Sequence, residues 1–205
     1  GVFRIPTMGD YINTIAFVEE DGSVTLVDCG VKKAPPKIVA GLAAIGKVPG
    51  DVQKIVLTHA HNDHAGGAAE MVRRTGLSGV EVHSEDASFV EAGTSAPLDE
   101  SMISGRVLAR VPFGGFEAVS VSRQLTDGEL IDVAGGITVH HTPGHSPGHI
   151  SLRHEKTNLL ITGDAIWNMA SRMTWPVSAF CTSHKLNRQS AHVLGELDYD
   201  IVAFT

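Results

Sequence analysis

Seven consecutive residues, positions 58 to 64, bring together side chains that could hold a metal ion. Their sequence, THAHNDH, supplies His59, His61, Asp63 and His64. The segment Lys54–Thr58 before them is apolar and predicts a buried strand. Because side chains alternate along a strand, His59 and His61 would point to one side. Asp63 and His64 would lie where the chain turns into a helix. Four potential ligands could therefore converge on one site.

These residue types indicate a catalytic metal. Neutral imidazole and carboxylate are ligands that zinc, iron and manganese accept, and the absence of cysteine from the cluster argues against a structural zinc site. Gly66 and Gly67 follow at once, at the start of a predicted helix where glycine is costly. Their position predicts a close approach between two backbone segments.

Two further candidate ligands lie downstream. His145 ends the sequence TPGH on a Pro-Gly turn, and Asp164 ends the sequence LITGD. Each follows a predicted strand, and loops at strand ends commonly carry the chemistry of a protein. We therefore group both residues with the first cluster.

The elements that must position these residues are short strands and helices. Two hairpins, each with a carboxylate (Asp28 or Asp164) after its second strand, indicate a duplicated β-then-α unit. Layers of helix, sheet, sheet and helix, an α+β fold, would bury strands that are apolar on both faces. Helices are predicted at Pro35–Ile45, at Ala65–Arg74 and before the last strand. Strands are predicted at Ile12–Glu19, Ser23–Asp28, Lys54–Thr58, Val80–His83, Ile137–His141, Ile150–Arg153, Leu159–Thr162 and Ile201–Phe204.

Two segments have no clear periodicity and several glycines and prolines. We interpret residues 85–120 as an insertion or lid within a single domain of residues 1–205. We interpret residues 168–181 as a second irregular loop. Both are expected to face the substrate, because they follow strands of the scaffold that carries the ligands.

Three motifs resemble, in this order, those of the metallo-β-lactamase superfamily: HAHNDH at 59–64, TPGHSPGH at 142–149 and TGD at 162–164. The resemblance in layout runs from about position 14 to position 164. It implies an αββα four-layer sandwich with a dinuclear metal site at the edge of the sheets, holding two zinc ions per complete chain, with iron or manganese as alternatives. It also implies a first ion on His59, His61 and His145, a second on Asp63 and His64, and Asp164 bridging the two.

Other residues are weaker candidates. Trp167 and Trp175 flank the loop after the TGD motif and could either line a substrate pocket or pack in the core. His149 would tighten its loop or orient a ligand, and Asp28 would act as a structural hydrogen-bonding group near the site.

Composition excludes several classes of protein. The 16 Lys and Arg against 23 Asp and Glu give a net charge of −7, which disfavours nucleic acid as a partner. Cys29 and Cys181 form no C-x-x-C pair, so neither a disulfide framework nor a thiolate zinc knuckle is expected. No apolar run approaches the roughly 20 residues of a membrane span, and no signal peptide is visible. We expect a cytoplasmic protein with a small-molecule substrate.

The expected reaction is hydrolysis. Two adjacent divalent ions would lower the pKa of a bridging water and supply hydroxide as the nucleophile. Asp63, a ligand and a hydrogen-bond acceptor, would orient it and pass its proton to the leaving group. The resemblance to lactonase and glyoxalase II-like members implies a small ester, lactone or thioester, although such lactonases often have tyrosine in place of Trp167.

Three alternatives stay open: a β-lactam hydrolase, a mononuclear-iron oxidoreductase like the sulfur dioxygenases, and a catalytically silent binding protein of the same fold. The resembled family also closes its second metal site with a histidine beyond the final strand, whereas this sequence ends at Thr205. We therefore expect a truncated C-terminus and a second ion that rests on Asp63, His64 and Asp164 alone and binds weakly.

Overall fold

Two β-sheets lie face to face in the computed structural model, which describes residues 1–99, 103–108 and 115–205. The first sheet contains β1 (Val2–Met8), β2 (Ile12–Val18), β3 (Val24–Val27), β4 (Val52–Val56), β5 (Val80–His83) and β6 (Val121–Leu125). Its strands follow one another in sequence order. The first three are antiparallel, and β3 to β6 are parallel.

The second sheet is mostly antiparallel. It contains β7 (Leu130–Ile131), β8 (Ile137–His141), β9 (Ile150–His154), β10 (Leu159–Ile161) and β13 (Ile201–Ala203). The spatial order is β13, β10, β9, β8 and β7, and only β13 pairs in parallel, with β10. A separate hairpin of β11 (Trp167–Met169) and β12 (Arg172–Thr174) stands outside both sheets.

Helices cover the outer faces of the two sheets. They are α1 (Pro35–Ala44), α2 (Ala68–Thr75), α3 (Ser84–Ala92) and α5 (His184–Gly195), and a shorter helix, α4 (Ile103–Leu108), lies beside Ser178–Phe180. Ile38 of α1, Met71 of α2 and Val90 of α3 pack against the first sheet. Leu194 of α5 packs against Leu160 of the second. Within the described ranges, no helix has the length and apolar character needed to cross a membrane.

One core cluster lies between the first sheet and its helices, and another fills the space between the two sheets. The inward-facing side chains are almost completely buried, and truncating one such as Phe17 to alanine would cost about 3–5 kcal/mol. The order of layers is therefore helix, sheet, sheet and helix, which confirms the predicted αββα, α+β fold. The main contributors are Ile15, Phe17, Val27 and Val56 from the first sheet and Val139, Ile150, Leu152 and Ile161 from the second.

The segment predicted to be an insertion begins with helix α3. Ala87 and Val90 of this helix belong to the core cluster of the first sheet, so its turns are part of the helical layer. The interpretation of the later residues as a lid stays a prediction, and positions 100–102 and 109–114 lie outside the described residues.

Candidate metal centre

The predicted ligands meet where strands of both sheets end. His59, His61 and His64 follow β4, His145 lies between β8 and β9, and Asp164 follows β10. All five side chains are buried. Asp63 differs, because its side chain keeps 36% of its surface exposed. Residues far apart in the sequence thus surround one small volume.

One group of donors consists of three histidines. A ring nitrogen from each of His59, His61 and His145 lies within 4.8 Å of the other two. His61 Nδ1 and His145 Nε2 are 2.9 Å apart, and His145 Nε2 lies 3.1 Å from Asp164 Oδ2. Three converging imidazoles are the donor set expected for a catalytic metal.

A second group of donors shares His59 with the first. His59, Asp63 and His64 each place one donor atom within 4.8 Å of the others. His64 Nε2 lies 3.4 Å from Asp164 Oδ1 and 3.9 Å from Asp63 Oδ2. Asp164 therefore faces His145 with one carboxylate oxygen and His64 with the other.

Two ring nitrogens at this site have no partner among the described residues. His59 Nε2 and His61 Nε2 are buried and make no hydrogen bond. A buried polar atom without a partner is costly, so such atoms call for an explanation. Both belong to residues of the three-histidine group, and the donor set therefore fits a divalent metal ion.

The electrostatics of the site favour unprotonated donors at His59 and His61. Burial lowers the pKa of both rings well below the ordinary 6.5, and neighbouring histidines lower it further. His64 behaves differently: burial lowers its pKa, but Asp164, Asp28 and Asp63 outweigh this and hold it well above 6.5. A protonated His64 would face Asp28 at 2.9 Å and Asp164 at 3.4 Å.

A family model described as the metallo-beta-lactamase superfamily matches residues 8–205. The chain belongs to this superfamily. Its relatives include the probable metallo-hydrolase YybB of Bacillus subtilis (strain 168), which is 25% identical over 182 residues, covering 88% of this chain and 74% of that protein. The acyl-coenzyme A thioesterase MBLAC2 of Gallus gallus is 32% identical over 128 residues, covering 58% of this chain and 43% of the thioesterase.

The fold of this chain matches a solved structure over nearly the whole length of this chain. The Rm3 metallo-beta-lactamase superposes with a TM-score of 0.76, covering 99% of this chain and 74% of the other, at 24% sequence identity. At this identity the likeness establishes a common fold and leaves the substrate open.

Hydrogen bonds behind the ligands fix which ring nitrogen faces the site, as is common for metal-binding histidines. Asp28 accepts hydrogen bonds from Thr58 N and Thr58 Oγ1, each at 2.8 Å, and from His64 Nδ1 at 2.9 Å. Because Thr58 Oγ1 donates to Asp28, it accepts from His59 Nδ1 at 3.0 Å. Nε2 of both histidines is left for the site. The structure thus confirms the hydrogen-bonding role predicted for Asp28.

His149 positions the backbone of Asp164. Its Nε2 accepts a hydrogen bond from Asp164 N at 2.9 Å, so its Nδ1 carries the proton and donates to Thr142 Oγ1 at 2.8 Å. A side chain on Gly163 would lie 2.6 Å from His149 Nε2, so this contact requires glycine. The expectation that His149 orients a ligand agrees with this geometry.

The two glycines after the histidine run allow the close approach predicted for them. A Cβ on Gly66 would lie 2.1 Å from the carbonyl oxygen of Asn62, and one on Gly67 would lie 2.3 Å from that of Cys29. Helix α2 begins at Ala68, and the N–H group of Gly67, which precedes the helix, donates to Gly30 O.

Sequence analysis missed Asp86, a fully buried carboxylate in α3. It accepts hydrogen bonds from Ala60 N, Ser146 Oγ and Gly148 N. Burial raises its pKa, while these three bonds act in the opposite direction. Asp86 is not part of a motif with the spacing of metal ligands. The one feature of the sequence that could have indicated it is its position just after the strand that ends at His83.

A cavity of about 550 Å³ opens beside the second group of donors. Asp63, His64 and Asp164 form one side of it, and Tyr11 and Trp167 belong to the apolar part of the wall. The cavity wall does not include Trp175, which lies 4.2 Å from the guanidinium of Arg188 on α5. Trp167 therefore lines this cavity, and Trp175 packs against Arg188 outside it.

Proposed function

We propose that this member of a metallo-hydrolase superfamily cleaves a small ester, lactone or thioester with the help of two divalent ions, zinc in the native protein. The observation that carries the proposal is the position of Asp164, whose two oxygens face different donor groups at 3.1 and 3.4 Å. Such a carboxylate is suited to bridging two ions beside a cavity large enough for a small substrate.

In this proposal each ion has its own set of ligands. His59, His61 and His145 would hold the first ion, Asp63 and His64 would hold the second, and Asp164 would serve both. When bound, the ions lower the pKa of water and polarise the carbonyl of the substrate. Asp28 keeps the Nδ1 proton of His64 away from the site, and His149 holds Asp164 in place through its backbone.

Asp63 is our candidate for moving the proton. Its carboxylate is partly exposed and lies on the wall of the cavity, where a substrate can reach it. The carboxylate of Asp63 would accept a proton from the attacking water and return it to the leaving oxygen or sulfur. A positioned carboxylate in this role contributes about 100-fold or more to the rate.

The wall of the cavity supports an acyl substrate with an apolar part. Met8, Tyr11, Trp167 and Met169 provide apolar surface beside the donors. The thioesterase activity named for the MBLAC2 relative falls within this substrate class. The net charge of −7 gives no support to a nucleic-acid substrate.

Elemental analysis and a substrate panel on one sample test the proposal. The purified protein should contain zinc and hydrolyse at least one ester, lactone or thioester faster than any β-lactam. One iron per chain with oxygen uptake would overturn it in favour of an oxidoreductase. A fully metallated sample that is silent on the whole panel would favour a binding protein.

A further inference from the structure

Asp86 connects two loops that come from distant parts of the sequence. Its Oδ2 accepts hydrogen bonds from Ala60 N at 2.8 Å and from Ser146 Oγ at 2.6 Å, and its Oδ1 accepts from Gly148 N at 2.6 Å. The first loop follows β4 and the second lies between β8 and β9. One buried side chain from a third element therefore ties the two loops together.

The tied positions are adjacent to candidate ligands. Ala60 separates His59 from His61, and Ser146 follows His145. The rings of His61 and His145 meet across the two loops at 2.9 Å. Because metal–ligand distances tolerate only about 0.2 Å, the spacing of these loops decides whether the nitrogens can share one ion.

A carboxylate is the group that suits this position. Three donors point at Asp86, and an amide in its place would turn an N–H group toward at least one of them. Asp86 is also the third residue of α3, where the helix dipole favours negative charge. Both features offset the cost of burying the carboxylate.

The surrounding backbone leaves the linkage little freedom. A Cβ on Gly148 would lie 2.5 Å from Asp86 N, so the second loop touches α3 directly. The carbonyl of Ala60 accepts a hydrogen bond from Ala96 N at 3.1 Å. The segment around α3 thus holds Ala60 through both its N–H and its carbonyl group.

We propose that Asp86 is a positioning residue that sets the spacing between His61 and His145 for one metal ion. It belongs to neither donor group found among the described residues. The inference rests on the first ion of the proposed function and is independent of the substrate.

Cobalt(II) titration of the metal-free protein, followed by visible absorption, tests this role. Asp86→Asn should raise the Kd for the first equivalent by about 10-fold or more and change the absorption spectrum of the bound ion. The matched control is Asp51→Asn. Asp51 Oδ2 also accepts a backbone hydrogen bond, from Val48 N at 2.9 Å, but Asp51 precedes β4, whereas the candidate ligands follow that strand. The control should bind within about twofold of the parent. An unchanged Kd and spectrum in a folded Asp86→Asn protein would overturn the inference.

Ser146→Ala provides a second, milder variant, since it removes one of the three donors to Asp86. If Asp86→Asn does not fold, this variant decides. Weaker cobalt binding with an unfolding midpoint close to that of the parent supports the inference, and unchanged binding overturns it. A parent that binds cobalt tightly but cleaves no substrate on the panel contradicts the proposed activity alone. A parent that binds no cobalt overturns both.

Discussion

His64 Nδ1 lies 2.9 Å from the carboxylate of Asp28, and both side chains are buried. Asp28 has a backbone φ of +62°, which is uncommon for a residue other than glycine. Asn also tolerates this conformation, whereas alanine would be strained in it. Asn and Ala substitutions at this position therefore separate the chemistry of the carboxylate from the strain of the backbone.

Asp28→Asn should weaken the second metal equivalent about 10-fold or more, because His64 loses the group that orients it. Calorimetric zinc titration of both proteins measures the change, and Asp28→Ala reports the added effect of strain. An unchanged affinity for the second equivalent in Asp28→Asn would contradict this role of Asp28.

His59→Ala and His61→Ala should each remove metal and activity together, because each deletes a donor from the three-histidine group. Elemental analysis and a rate measurement on the same sample check this. His192→Ala, an exposed position on α5, serves as the control and should keep both. A His59→Ala protein with full metal content would remove the basis of the ligand assignment.

Asp63→Asn should lower kcat by about 100-fold while KM changes far less, because the amide cannot take up the proton. Steady-state kinetics on the best substrate of the panel provide both values. Metal content must be measured alongside, since Asp63 is also a proposed ligand. A kcat within a few-fold of the parent, at equal metal content, rules out the proton-transfer role.

The metal-free protein should lose stability between pH 6.5 and 5.5. Burial holds the pKa of His59, His61 and His149 well below 6.5, so the unfolded chain takes up protons in this range that the folded chain does not. Each such group lowers the free energy of unfolding by about 1 kcal/mol over this unit of pH. The pKa of His64 is raised, so its contribution is already complete below 6.5 and is lost only at higher pH. Urea unfolding at both pH values, in the presence of a chelator, measures the difference; equal or greater stability at pH 5.5 would be inconsistent with these shifts.

Trp167→Ala should change KM and substrate preference without loss of metal, because this side chain lines the cavity. Trp175→Ala is the matched control, since its ring packs against Arg188. The substrate panel applied to both variants tests the assignment. Equal effects of the two substitutions would mean that the cavity beside Asp63 is not where the substrate binds.

The ligands were predictable because they stand in contiguous motifs at the ends of apolar strands. Strands such as β1 and β6 were missed, because both pair at an edge of the first sheet and expose polar residues. β1 also contains Pro6, which argues against a strand in sequence analysis. Asp86 escaped prediction for a different reason: its partners are mostly backbone groups of residues 26 to 62 positions away, and no local pattern encodes such a contact.

The hairpin of β11 and β12 is a separate two-stranded unit that could be engineered without changing the main sheets. It pairs with neither main sheet, yet Trp167 at its base and Met169 beside its turn contribute to the cavity. The donors instead sit on loops that α3 and buried hydrogen bonds hold in place. A combinatorial library confined to residues 167–174 could therefore vary the substrates accepted while the catalytic apparatus stays intact, and natural lineages could diverge by the same route.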